Sequence, residues 1–82
     1  MDKDTVFVKV SDLIRSVLLQ KKLKIEPDNS LSDDLGMDSL GAVELINAVE
    51  DEYHISVTEE EMQAIKTVND AVDLILAKIN HN

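Results

Sequence analysis

The chain has 82 residues, 44% apolar and 30% charged, with no cysteine and a net charge of −9. That is the composition of a folded domain with one modest core, hiding roughly 60–65% of the surface that the unfolded chain exposes. It is too small for a deep catalytic cleft walled by a sheet, it has no thiol for disulfides or metal sites, and its charge excludes nucleic acid, whose affinity comes from Lys and Arg on phosphates.

The charge is also segregated. None of the eight Lys and Arg residues lies between residues 25 and 65, and that span holds twelve acids, from Glu26 to Glu61. Such a field attracts and steers basic protein surfaces. The plainer alternative is a solvated face that keeps the chain soluble. No apolar run approaches the ~20 residues of a membrane span. The opening "MDKDTVFVKV" lacks the pattern of a secretory signal, so the expected location is the cytoplasm, or a plastid or mitochondrion for a chain already processed.

In chain order, Val6, Val10, Leu13, Ile14, Val17 and Leu18 keep helical spacing and predict a first helix over about residues 4–20, capped by Asp4 or Thr5. Residues 21–38 have no sustained period, and Pro27 with Asp28, Asn29 and Ser30 opposes a helix there. Leu23, Ile25, Leu31 and Leu35 are placed to pin this long loop to the core. A second helix is predicted over about residues 39–52, capped by Asp38, with Ala42, Leu45, Ile46, Val49 and Tyr53 as its buried stripe. "SVTEEEMQAI" predicts a short helix, with Thr58 and Glu61 spaced as a capping box, and Thr67 and Asp70 repeat that spacing ahead of a last helix with Val68, Ala71, Val72, Ile75 and Ile79 inward. "YHISV" is the one strand-like stretch and has no partner. The expected architecture is all-α: one domain over residues 1–82, a small four-helix bundle of three main helices and one short one, with a long loop between the first two.

Within "DDLGMDSLGAVEL" a lone Ser39 stands where the acidic loop turns into the second helix. A hydrolase elbow needs Gly-x-Ser-x-Gly after a strand. The run here is one residue too long, no strand precedes it, and the histidines, His54 and His81, stand at a turn and near the C-terminus. A calcium loop counted from Asp33 puts Glu44 at the twelfth position, but Leu35 and Met37 fall where ligands belong. A capping role for Ser39 remains open. Against it, Asp38 already fills the cap, and Leu40 and Val43 lie beside the buried stripe as apolar surface next to an acidic field, the makings of a docking site.

The octet Asp33-Asp34-Leu35-Gly36-Met37-Asp38-Ser39-Leu40 resembles the acyl carrier protein family, the phosphopantetheine-attachment domains, and the resemblance runs on without a gap through "AVELINAVEDEYHISVTEEEMQAIKTVNDAVDLI". It implies that Ser39 carries 4′-phosphopantetheine, donated by coenzyme A through a separate phosphopantetheinyl transferase. The chain would then be no enzyme. It would be a monomeric carrier of acyl or aminoacyl thioesters for acyl-transferring, condensing or acyl-activating enzymes of fatty acid, polyketide or related metabolism. The resemblance also implies that Asp38, Leu40, Val43, Glu44, Asn47, Glu50 and Asp51 meet basic patches on those partners. Leu31, Ile46, Val49, Val57, Ile65 and Ala71 either admit an acyl chain or simply pack the core. Gly41, Asn47, Leu31 and Thr58 stand where fatty-acid-synthesis members usually have an acid, Met, Phe and Pro, which leaves the pathway open. The rival reading is an unmodified acidic adaptor that binds basic proteins.

Overall fold

The computed structural model describes residues 2–80. It contains four helices: α1 Lys3–Leu18, α2 Ser39–Tyr53, α3 Glu59–Ala64 and α4 Val68–Ile79. No strand forms among the described residues, "YHISV" included; the one β-type contact is an isolated antiparallel bridge between Ser30 and Thr67. The all-α expectation of three main helices and one short helix is met.

α1 starts one residue earlier than its spacing predicts. Asp2 is the cap, its carboxylate accepting the Thr5 amide at 2.7 Å. Asp4 instead lies in the first turn, where a negative charge favours the helix dipole. The predicted caps Asp4 and Thr5 are therefore both inside the helix. The helix also ends at Leu18 and not at 20, because Leu19 turns into the left-handed region, with φ 57°. The amides of Leu19 and Gln20 fold back onto the carbonyls of Ser16 and Arg15 at 3.3 and 3.0 Å.

The core joins Val6, Val10 and Ile14 of α1, Leu45 and Val49 of α2, and Val68, Ala71, Val72 and Ile75 of α4. Each fully buried aliphatic side chain contributes about 1.5–3 kcal/mol. α1 and α2 run antiparallel: Lys9 reaches Glu52 at 3.6 Å near one end, and Gly41 faces Val17 near the other. Gly41 is buried because the helices approach so closely there. A Cβ on it would stand 3.0 Å from the Met37 side chain and 3.8 Å from that of Val17.

The long loop is ordered, as its apolar residues predict. Ile25, Leu31, Leu35 and Met37 belong to the buried core, and Leu23 is half-buried against it. Its backbone is tied to the start of α4: Leu31 donates to the Lys66 carbonyl at 3.0 Å, and Val68 and Asn69 donate to those of Asn29 and Pro27 at 3.1 and 2.8 Å. These bonds and buried side chains offset an ordering cost of about 1–2 kcal/mol per residue.

α3 is held more lightly. A complete capping box joins Thr58 and Glu61, but no residue of the helix is buried. Lys78 clasps Glu61 from α4 at 2.8 Å. Six residues are too few for a helix to persist unaided, so α3 is the element of lowest local stability.

The start of α4 is fixed by the predicted Thr67 cap and its reciprocal Asp70. The Asp70 carboxylate accepts the amides of Lys66 and Thr67, both at 3.0 Å, which holds it below its ordinary value of 3.8. A lowered folded-state value stabilises the fold above that pH and is lost as pH falls through it. Asp70→Asn is expected to lower the urea midpoint at pH 7, with the gap to the natural chain closing as the pH drops below 3.8. A gap that stays constant from pH 7 to pH 3 would contradict the charge-based account.

Candidate attachment site

The segment before α2 sets the direction of Ser39. Gly36 holds φ 73°, a left-handed conformation natural to glycine. Its amide donates to the Ser32 carbonyl at 3.0 Å, and the next amide, of Met37, donates to the Leu31 carbonyl at 2.9 Å. The Met37 side chain turns into the core. Asp38 then caps α2 as predicted, its Oδ1 accepting the Gly41 amide at 2.8 Å. Ser39 becomes the first helical residue, and it is exposed. By helix geometry its own amide and that of Leu40 have no carbonyl to bind, so the hydroxyl stands at the positive end of the helix dipole.

Beside Ser39 lies a groove of about 510 Å³ between the long loop, the first turns of α2 and the α3 segment. Leu31, Met37, Ala42, Val43, Met62 and Ile65 give it an apolar floor and walls. Ser30, Ser32, Gln63 and Lys66 supply hydroxyl, amide and cationic groups, and Asp33 and Asp38 stand at its acidic side. Of the six residues expected either to admit an acyl chain or to pack the core, Leu31 and Ile65 line this groove. Ile46, Val49, Val57 and Ala71 do not. Val49 and Ala71 are core residues, each 2% exposed.

Among the described residues no histidine stands near Ser39. His54 is the C-cap of α2, fifteen residues on, which at ~1.5 Å per residue is about 22 Å away. His81 lies outside the described residues. Among the described residues no three His, Asp or Glu side chains are grouped to hold a metal ion.

The residues expected to meet partners divide in two. Leu40 and Val43 are 67% and 41% exposed, and Glu44, Asn47 and Asp51 are exposed with them. Their spacing of three and four places them along one helix face running away from Ser39. Asp38 is exposed, but its carboxylate is engaged as the cap. Glu50 differs from the rest. It is half-buried, and its Oε2 accepts the Val57 amide at 2.9 Å, fastening the connection from α2 to α3. Sequence spacing carries no signal of that bond, because the two residues meet through a turn. Likewise Ser30, Ser32 and Lys66 come from stretches without a period and Met62 and Gln63 from the short α3, and the Ser30–Thr67 bridge with the Leu31 amide to Lys66 carbonyl bond brings the loop to the segment after α3.

A family model described as the phosphopantetheine attachment site matches residues 8–75. The chain belongs to the acyl carrier protein family. It is 40% identical over 80 residues to an acyl carrier protein of Petrotoga mobilis, covering 98% of this chain and 94% of that one. It is 43% identical over 70 residues to one from Chlorobium phaeobacteroides, covering 85% and 90%. Among solved structures it matches an acyl carrier protein of Mycobacterium tuberculosis at a TM-score of 0.78 and 34% identity, over 83% of this chain and 90% of that chain. Family members are non-catalytic carriers, and the prosthetic group of the family is 4′-phosphopantetheine. The residues present suit such a group. An exposed hydroxyl at a helix N-terminus favours an anionic phosphodiester, and the adjoining groove offers both apolar and hydrogen-bonding walls to an amide-containing arm.

The Glu50 bond makes a separable prediction. Glu50→Ala leaves the Val57 amide without its acceptor and is expected to cost about 1–2 kcal/mol in urea unfolding. Hydrogen exchange at the Val57 amide should speed up more than exchange in α1. Unchanged stability and unchanged exchange would assign Glu50 to the surface field alone.

Proposed function

We propose that Ser39 is the residue that carries 4′-phosphopantetheine, and that the chain delivers acyl groups held on that arm to partner enzymes. The observation that supports this most is the Ser39 hydroxyl itself: exposed, first in α2, and opening onto the groove. The Ser39 oxygen forms the phosphodiester with the phosphopantetheine moiety of coenzyme A, 3′,5′-ADP departs, and the serine proton goes to a base of the visiting transferase. When bound, the group supplies a terminal thiol, which this cysteine-free chain lacks, as the point of thioester attachment.

The partner-facing acids have a physical signature. The last turn of α2 carries Glu50, Asp51 and Glu52 and no basic residue. Negative charge at a helix C-terminus opposes the dipole by about 0.3–1 kcal/mol per group. Lys9 and the Val57 amide offset this for Glu52 and Glu50, while Asp51 stays exposed. With Glu44, Asn47, Leu40 and Val43 it forms an acidic face with an apolar end beside Ser39, which fits enzymes with basic docking patches. Each exposed pair contributes only about 0–1 kcal/mol, so the summed field does the steering. The cargo belongs to fatty acid, polyketide or related acyl metabolism, with aminoacyl groups also chemically suited to the same thiol.

Incubation with coenzyme A and a broad-specificity phosphopantetheinyl transferase is expected to add the mass of one phosphopantetheine, and none in Ser39→Ala of unchanged fold. No added mass with several transferases would replace this reading with that of an unmodified acidic adaptor.

A further inference from the structure

The end of α1 presents a surface of opposite character. Leu19 is 88% exposed and holds φ 57°. The left-handed region costs a non-glycine residue about 1–2 kcal/mol, and glycine at this position would carry neither that strain nor an exposed apolar side chain. A single exposed leucine is ordinary; here it is fixed on a rigid corner. The amides of Leu19, Gln20 and Leu23 donate to the carbonyls of Ser16, Arg15 and Gln20 at 3.3, 3.0 and 3.2 Å. The Arg15 Nε clamps the far side by donating to the Leu23 carbonyl at 2.8 Å.

Lys21 and Lys22 stand exposed on this corner. Five of the chain's cations, Lys3, Lys9, Arg15, Lys24 and Lys78, have carboxylates within 4.0 Å. Lys21, Lys22 and Lys66 have none among the described residues, and of these three Lys21 and Lys22 stand side by side at the corner. In a chain of net charge −9, two free cations next to a strained, exposed leucine form a local surface of reversed sign. A shallow groove of about 410 Å³, lined by Asp12, Arg15, Ser16, Leu19 and Lys21, adjoins it.

The corner lies at the Ser39 end of the bundle. A Cβ on Gly41 would stand 3.8 Å from the Val17 side chain, and Leu19 is two residues beyond Val17, within about 8 Å along the chain. An enzyme acting on the Ser39 hydroxyl must seat against this pole. A typical interface covers about 800 Å² of each partner, a patch about 32 Å across. Enzymes that act at the end of a long arm have no such obligation.

Resting on the reading of Ser39 as the attachment residue, we propose that Leu19, Lys21 and Lys22 form a docking corner for the phosphopantetheinyl transferase that loads the chain. Leu19 enters an apolar socket rimmed by carboxylates on that enzyme, which the two lysines meet. Acidic α2 on one side and this cationic corner on the other give the pole two signs of charge, so an enzyme complementary to both is accepted in one orientation. An anionic lipid surface fits the corner less well, because the chain's net charge repels it and a single leucine gives little insertion.

The test compares the natural chain with Leu19→Gly and with the double variant Lys21→Glu, Lys22→Glu. Loading is followed by intact mass, using coenzyme A and whichever of several phosphopantetheinyl transferases has the lowest KM for the natural chain. KM is expected to rise about five-fold or more in each variant with kcat little changed. Leu19→Gly is expected to raise the urea midpoint, so its loading defect cannot come from unfolding. Added salt should raise KM less in the double variant than in the natural chain. Natural KM in both variants would overturn the corner and leave the Ser39 reading standing. A natural chain that no transferase loads would overturn both. Binding to anionic phosphatidylserine vesicles that the double variant loses, with loading unchanged, would assign the corner to lipid and overturn the proposal.

Discussion

The hydrogen bond from the Gly41 amide to the Asp38 carboxylate, at 2.8 Å, is the contact on which the arrangement of this molecule turns. It fixes the residue at which α2 begins. With the helix starting at Ser39, that side chain faces solvent, Met37 enters the core, and Gly41 lies against α1. Successive residues are about 100° apart around a helix. A start displaced by one residue would swing the serine toward the bundle and move Leu45, Ile46 and Val49 off the core. One short polar contact thus ties the burial of an entire helix face to the exposure of one hydroxyl.

Around that contact the bundle is built in two tiers. α1, α2 and α4 share a close-packed aliphatic core, and the long loop is stitched to the start of α4 by backbone hydrogen bonds. α3 has a complete cap, an ion pair and a half-buried methionine, but no buried residue. The groove beside Ser39 runs between these tiers, with Leu31, Met37 and Ala42 on the firm side and Met62, Gln63 and Ile65 on the light side. A wall of low local stability lets such a groove widen at small cost, which suits a carrier that holds its arm loosely and gives it up to partners.

Much of this was legible in the residues alone, wherever structure depends on neighbours three or four positions apart. The caps at Asp38, Thr58 and Thr67 and the reciprocal acids Glu61 and Asp70 follow from local spacing, and the structure places each in that role. The inward stripes of α1, α2 and α4 follow from periodicity in the same way. The ends of α1 were not legible. Three residues within four positions, Asp2, Asp4 and Thr5, can each cap, and the helix stops at a left-handed leucine where a glycine would have announced the stop. The groove was half legible, because Ser39, Leu31 and Ile65 stood out while Gln63, Lys66 and Ser32 join them through long-range contacts between the loop and the segment before α4, the Ser30–Thr67 bridge and the Leu31–Lys66 bond among them. Glu50 reads as one more surface acid until the turn after α2 brings the Val57 amide to it.

The account depends on Ser39 being the tether, although Ser30 and Ser32 line the same groove. Fragmentation mass spectrometry of the loaded chain, mapping the modified residue, tests this most directly. The account predicts the arm on Ser39 alone. An arm on Ser30 or Ser32, or spread over several serines, would contradict it, since neither of those hydroxyls stands at the start of a helix.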